Sequence, residues 1–263
     1  MELPSKYQEI DLQVLIDAVK AAGEEILKIY ATDFQVETKG DDSPLTAADQ
    51  AANKVLMDYV NEHTSHIPVI SEENKEVDYS VRKEWSRFWL IDPLDGTKEF
   101  IKKNGEFTVN IALIDEGRPK LGVVYQPTTD TFYIGISDDA SYKIDAVGAV
   151  SLIKNETHYA KREEDIVVAS RSHLSDDVVA FVDDLKSEGK SVEFLSAGSS
   201  LKFCLVAEGK AHVYPRLGPT MEWDTGAAHA VALGAGLDVI DHETRRPLLY
   251  NKENLLNPYF IVA

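Results

Sequence analysis

The stretch that decides the fold is RFWLIDPLDGT, residues 87–97. The apolar residues after the opening arginine predict a buried strand that ends at Asp92. Pro93 fixes its own φ angle and has no backbone N–H, so we expect it to interrupt the strand ladder directly after Asp92. Gly96 permits a tight turn, in which the N–H groups of Gly96 and Thr97 are expected to face a bound phosphate.

Acidic side chains recur directly after predicted strands or at the start of a predicted helix. They are Glu72 and Glu73, Asp92 and Asp95, and Asp224. The ends of neighbouring strands meet at one edge of a layered α/β fold, so these groups are expected to converge. Several carboxylates in one pocket cannot all ionise unless cations neutralise them. Oxygen donors without histidine or cysteine favour Mg²⁺ or Mn²⁺ over zinc.

The periodicity divides the chain into two halves. Amphipathic helices are predicted over residues 8–30 and 46–63, the second opened by a capping box from Thr46 to Asp49, and a strand meander covers 107–144. Strands and helices alternate from 166 to 240, with a predicted helix over 223–233 that Asp224 opens. We therefore expect halves at 1–158 and 159–263, with a ligand cleft between them.

Composition excludes several classes of protein. The 263 residues carry 27 basic and 45 acidic side chains, a net charge of −18, which disfavours nucleic acid and anionic lipid as partners. The one cysteine, Cys204, allows no internal disulfide and favours a reducing compartment. Neither a signal peptide nor a transmembrane segment is predicted. The P-loop and the GxGxxG dinucleotide motif are both absent from the sequence.

Three motifs in order resemble the inositol monophosphatase superfamily of lithium-sensitive phosphatases: SEE at 71–73, DPLDGT at 92–97 and WD at 223–224. The resemblance runs nearly end to end and implies an α+β fold, a layered αβαβα sandwich. Segments 105–112, 198–202 and 214–224 are similar to the bacterial 3′(2′),5′-bisphosphate nucleotidases of sulfate assimilation. Those enzymes convert adenosine 3′,5′-bisphosphate to AMP. An inositol or other sugar-phosphate phosphatase of the same superfamily is the alternative.

The resemblance also implies ligands for two Mg²⁺ ions, which Mn²⁺ can replace. One ion is assigned to Glu72, Asp92 and the Leu94 carbonyl, and the other to Asp92, Asp95 and Asp224. A third, weaker site near Glu72 and Glu73 is left open. Asp49 and Thr97 match the catalytic pair that orients and deprotonates the attacking water.

The predicted substrate contacts combine metal ligands with residues of the second half. They are Glu72, Leu94, Asp95, Gly96, Thr97, Ser200, Lys202, Arg216 and Asp224. A second phosphate approaching so acidic a chain needs its own cation, and either Lys202 or Arg216 is placed to supply it. Residues 170–173 are expected to line the nucleoside pocket. The resemblance implies a cytoplasmic enzyme, with peripheral association at the inner membrane as an alternative.

Two rival classes are weighed against this interpretation. A haloacid-dehalogenase phosphatase needs an Asp-x-Asp motif, whereas Asp92 and Asp95 are one residue further apart. A non-catalytic metal- or nucleotide-binding protein would not need Asp49 or Thr97, and the acidic residues do not match an EF-hand loop. Phosphate release with Mg²⁺ separates these classes. The sequence does not determine the oligomeric state.

Overall fold

The computed structural model describes residues 2–32, 44–74, 77–155, 163–169 and 175–263. The predicted boundary between residues 158 and 159 and the predicted nucleoside segment 170–173 lie outside these ranges. The first half starts with short strands and two long helices: β1 (Lys6–Tyr7), β2 (Ile10–Asp11), α1 (Leu12–Tyr30) and α2 (Pro44–His63). These helices cover one face of a large sheet.

That sheet has seven strands in sequence order, of which only the first pair is parallel. Its strands are β3 (Val69–Ser71), β4 (Arg87–Asp95), β5 (Thr108–Asp115), β6 (Arg118–Gln126), β7 (Thr131–Ile136), β8 (Ser141–Ile144) and β9 (Val150–Ile153). Two short helices flank β4: α3 (Tyr79–Arg82) and α4 (Thr97–Ile101). The predicted meander is therefore confirmed.

The second half supplies the remaining layers. Its elements are β10 (Glu164–Ala169), α5 (Asp176–Ser187), β11 (Ser191–Ser196), α6 (Leu201–Ala207), β12 (Tyr214–Arg216), α7 (Gly226–Gly234), β13 (Val239–Asp241) and β14 (Phe260–Val262). The parallel pair β10–β11 is linked to the three strands β12-β14-β13 by a bridge between Val167 and Val213.

Three apolar cores hold the layers together. Trp89 and Ile91 of β4 face α1 and α2, whereas the alternate residues Phe88 and Leu90 face α6 and α7. A smaller core packs α5 on the far side of the second sheet. The order is thus helices, sheet, helices, sheet, helix, which is the predicted αβαβα sandwich.

Helix α7 lies unusually close to the large sheet. A Cβ atom on Gly122 would overlap the backbone of Ala227, and one on Gly135 would overlap that of Ala230. Glycine at both positions therefore allows the two layers to approach. This contact fixes the start of α7, and with it the turn that carries Asp224.

Some predicted boundaries are wrong by a few residues. Helix α2 starts at Pro44, so Thr46 lies inside the helix and not at the N-cap position that the predicted capping box gave it. Proline suits a first helical position because its fixed φ is already helical. Asp224 lies two residues before α7 and does not open it. No helix among the described residues has the length and apolar character of a membrane span.

Candidate active site

Two parallel strands bring the first acidic groups together. Ser71 of β3 is in register with Ile91 of β4, and the backbone N–H of Glu72 donates to the Ile91 carbonyl at 3.2 Å. Glu72 therefore lies beside Asp92. One carboxylate oxygen each of Glu72, Asp92 and Asp224 lies within 4.8 Å of the others. The predicted convergence is observed for these three residues, which we call the carboxylate triad.

Asp92 is the most deeply buried member of the triad, at 1% exposure. Its Oδ1 accepts a hydrogen bond of 3.1 Å from the Leu94 amide, while its Oδ2 is buried and has no hydrogen-bond partner among the described residues. Burial raises the pKa of Asp92 well above its usual range, and the charges of Asp95 and Glu72 raise it further. A buried, unpartnered oxygen among like charges is suited to a bound cation.

The end of β4 differs from the sequence prediction. The strand does not stop at Asp92 but continues to Asp95, with a register irregularity between the two. Pro93 cannot donate to the ladder, and pairing resumes where Asp95 faces Thr108. This irregularity places two acidic residues and the buried Leu94 at one strand end.

Asp95 is held from the second half of the chain. Its Oδ2 accepts a hydrogen bond of 2.6 Å from the Ser200 amide, just before α6. Asp95 is not part of the carboxylate triad but lines a cavity together with Asp224. Burial raises the pKa of Asp224 to about 7, and the charge of Asp95 contributes to this rise.

The predicted catalytic pair lies on two helices that pack together, α2 and α4. Asp49 of α2 is buried at 6% exposure. Burial raises its pKa to about 8, with further contributions from Glu73 and Glu72. Thr97 is the first residue of α4, directly after Gly96, whose φ of 97° lies in the left-handed region that favours glycine. A carboxylate with a pKa near neutrality is suited to general-base chemistry.

The cavity beside Asp95 has a volume of about 190 Å³. Gly96, Ser200, Lys202 and Arg216 are among its lining residues, so the predicted cations lie in the same space as the acidic groups.

Lys202 is 8% exposed, and its Nζ donates to the Ser199 carbonyl at 2.7 Å and lies 5.6 Å from the centre of the Tyr214 ring. Burial lowers its pKa to about 8, although the charge of Asp95 opposes the shift. Such a desolvated ammonium group benefits from an anionic ligand.

Arg216 lies in β12 and has spare donor capacity. One terminal nitrogen donates to the Pro219 carbonyl at 2.8 Å, whereas Nε is buried and finds no partner within the ranges that the structure describes. The same holds for the hydroxyl of Ser199, another residue of the cavity lining. Unpartnered donors in a small polar cavity are consistent with a ligand that accepts hydrogen bonds.

Sequence reasoning missed Asn110. It lies opposite Asp92 in the β4–β5 register, so both side chains project from the same face. Its Oδ1 accepts a 2.9 Å hydrogen bond from Ser200 Oγ, and its Nδ2 is buried with no partner in the described part of the chain. The signal was available, because asparagine is the only amide side chain in the apolar run 107–114.

The fold and the site together define a class of phosphatase-like proteins. Comparison with known proteins identifies that class. The chain belongs to the inositol monophosphatase family, whose model matches residues 8–259. It also matches an inositol monophosphatase from Zymomonas mobilis with a TM-score of 0.75 at 21% identity, over 96% of this chain and 91% of the other. The predicted family and fold are confirmed.

Within this family, the chain is more similar to a group of bacterial proteins that share one name. The chain is 43% identical to the 3′(2′),5′-bisphosphate nucleotidase CysQ of Salmonella typhimurium, over 96% of this chain and 99% of the relative. It is 44% identical to the enzyme of the same name from Escherichia coli K12, with the same coverage. The crystal structure of CysQ from Bacteroides thetaiotaomicron matches with a TM-score of 0.86 at 46% identity, over 95% of each chain.

Proposed function

We propose that the chain is a Mg²⁺-dependent 3′(2′),5′-bisphosphate nucleotidase that hydrolyses the 3′-phosphate of adenosine 3′,5′-bisphosphate to give AMP and phosphate. The observation that carries this proposal is the cavity in which Asp95 and Asp224 lie together with Lys202 and Arg216. The acidic groups are suited to cations, and the two cationic side chains are suited to a second phosphate. The names of the relatives point to the same reaction.

The acidic groups fit Mg²⁺. The carboxylate triad offers hard oxygen donors within 4.8 Å of one another, and Asp92 Oδ2 has no hydrogen-bond partner in the part of the chain that the structure describes. We assign Glu72, Asp92 and the Leu94 carbonyl to one ion, and Asp92, Asp95 and Asp224 to a second. When bound, Mg²⁺ polarises the scissile phosphate and neutralises charge that develops during displacement. Mn²⁺ has similar ligand preferences and is expected to substitute.

The chain's own groups supply the rest of the chemistry. Asp49, with its pKa of about 8, accepts the proton of the attacking water. The Thr97 hydroxyl orients that water, and the N–H groups of Gly96 and Thr97 face the scissile phosphate. Lys202 and Arg216 bind the 5′-phosphate, which positions the 3′-phosphate at the acidic groups.

A Mg²⁺ titration of phosphate release tests this proposal. We expect release from adenosine 3′,5′-bisphosphate to depend on Mg²⁺, to stop with a chelator and to resume when Mg²⁺ is restored in excess. Release that persists in a chelator would contradict the metal assignment. A cytoplasmic location and a role in sulfate assimilation stay predictions of the resemblance.

A further inference from the structure

Arg82 is a fully buried arginine close to the site, at 1% exposure. It ends α3. Its guanidinium group donates to the carbonyls of Val77, Lys252 and Glu253 and to Oδ1 of Asn251, at 3.3, 2.6, 2.7 and 3.0 Å. These four hydrogen bonds fix the guanidinium group relative to residues on both sides of it.

The contact with residues 251–253 runs in both directions. Nδ2 of Asn251 donates to the carbonyls of Arg82 and Trp85, at 2.7 and 3.3 Å. The planar guanidinium fork fixes several acceptors at once, which a lysine cannot do. Helix α3 is therefore joined to a segment that lies far away in the sequence.

Residues 251–253 are in turn joined to the turn that carries Asp224, through Glu222. The Glu222 side chain is completely buried and accepts hydrogen bonds from the amides of Asn251 and Lys252, at 2.7 and 3.0 Å. The Lys252 ammonium group adds an ion pair at 2.5 Å. The Glu222 carbonyl accepts from the Gly226 amide at 3.0 Å, which closes the turn around Asp224.

We propose that Arg82 is a positioning residue for the metal site: it links α3, through residues 251–253 and Glu222, to the Asp224 turn. This link holds in place Asp224, the member of the carboxylate triad that comes from the second half of the chain. Glu72, Arg82 and Trp223 also line one cavity of about 510 Å³, so the link borders the site directly. The inference rests on the metal site assigned under the proposed function.

If Arg82 has this role, removing its guanidinium group should weaken Mg²⁺ binding. Groups that hold metal ligands in place typically change metal affinity by 10- to 100-fold when they are removed. We expect Arg82→Met, which keeps the apolar bulk but loses the fork, to raise the Kd for Mg²⁺ by about tenfold or more. The KM for the substrate should change little, and kcat should recover at saturating Mg²⁺.

Arg87 provides a matched control. It is 31% exposed at the opposite end of β4 and pairs with Glu9 and Asp115, at 3.0 and 2.8 Å. Arg87→Met should lower Tm without changing the Kd for Mg²⁺. Arg82→Lys should restore Mg²⁺ affinity only in part, because one ammonium group cannot reach every acceptor.

The test measures Mg²⁺ binding by calorimetry and the Mg²⁺-induced rise in Tm, both without turnover. A second variant, Asn251→Gly, is included in case Arg82→Met does not fold. It removes the side-chain bonds to Arg82 and Trp85 and tolerates the φ of 66° at this position. We expect it to weaken Mg²⁺ binding in the same direction.

If the folded variants bind Mg²⁺ with an affinity within twofold of the wild type, the inference is wrong. Phosphate release by the wild type would in that case still support the proposed function. A wild type that neither binds Mg²⁺ nor releases phosphate would overturn both. An equal loss of Mg²⁺ affinity in Arg87→Met would show a general effect of stability and would also overturn it.

Discussion

The backbone amide of Ser200 donates a 2.6 Å hydrogen bond to Oδ2 of Asp95, so a residue of the second half orients an acidic group of the first. The Ser200 hydroxyl donates a hydrogen bond to Asn110 Oδ1 at 2.9 Å and lies 2.8 Å from Thr108 Oγ1. Ser200 is buried at 2% exposure. The site is therefore built across the two halves, and its geometry depends on their packing.

Asp92→Asn is expected to lower kcat by several orders of magnitude, because Asp92 is assigned to both ions. The fold should survive. Without metal, Tm should stay equal or rise, since burial and the charges of Asp95 and Glu72 make an ionisable group costly at this position. Phosphate release and thermal unfolding measure the two effects.

Asp165→Asn is a matched control for that variant, since Asp165 is also completely buried but pairs with Lys190 at 3.1 Å. It should lower Tm and leave kcat near the wild-type value. An Asp92→Asn enzyme with substantial activity would refute the assignment of Asp92 as a bridging ligand.

Thr97→Val and Asp49→Asn are expected to lower kcat by about 10²- to 10⁴-fold, the usual contribution of general acid–base groups. Neither residue is assigned to a metal ion or to the second phosphate. The Kd for Mg²⁺ and the KM should therefore change much less than kcat. Steady-state kinetics with calorimetry checks this split, and a loss confined to Mg²⁺ affinity would assign the pair to the metal site.

The stability of the metal-free protein should fall as pH rises. The pKa of Asp49 is about 8 in the folded chain and about 3.9 in an unfolded one, so the folded state binds more protons between these values. Asp49→Asn removes this term, so its Tm relative to wild type should increase from about pH 5 to about pH 8, by a few degrees. A constant difference across that range would show that Asp49 ionises normally.

Arg216→Ala and Lys202→Ala are each expected to raise the KM for adenosine 3′,5′-bisphosphate by about 10- to 150-fold, the value of a charged hydrogen bond worth about 1.5–3 kcal/mol. The matched substrate is 3′-AMP, which lacks the 5′-phosphate, and its KM should barely change. Equal losses on both substrates would show that these residues serve the fold or the scissile phosphate.

Li⁺ at millimolar concentrations should inhibit turnover uncompetitively, a property that the family resemblance implies. The predicted ligands Asp92, Asp95 and Asp224 are all present, and Asp95 and Asp224 line one cavity. Initial rates at several substrate concentrations, with K⁺ as the ionic-strength control, measure the effect. Full activity in Li⁺ at saturating Mg²⁺ would contradict it.

Much of this architecture could be predicted from short segments of the sequence. The apolar residues of 87–91 predicted a buried strand, and alternate members of it do face two different cores. Glu72 and Asp92 were predicted to converge because both follow strands, and β3 and β4 are indeed parallel neighbours. These inferences depend on apolar runs and on the acidic residues that directly follow them, and both are visible in the local sequence.

Other features could not be predicted from short segments of the sequence, because they depend on residues elsewhere in the chain. The strand continues past Pro93 because pairing with Thr108 resumes beyond it, and that partner comes from another strand. The bond from Ser200 to Asp95 and the link through Arg82 both join residues distant in the sequence. An isolated arginine in the sequence looks like a surface charge, and only the folded chain shows that Arg82 is buried.

The most direct test of the central claim is to identify the product formed from adenosine 3′,5′-bisphosphate with Mg²⁺, with inositol 1-phosphate as the competing substrate. Chromatography separates 5′-AMP from 3′-AMP, and phosphate release gives kcat/KM for both substrates. We predict that 5′-AMP is the product and that kcat/KM is clearly higher for the nucleotide. Formation of 3′-AMP, or a higher kcat/KM for inositol 1-phosphate, would contradict it.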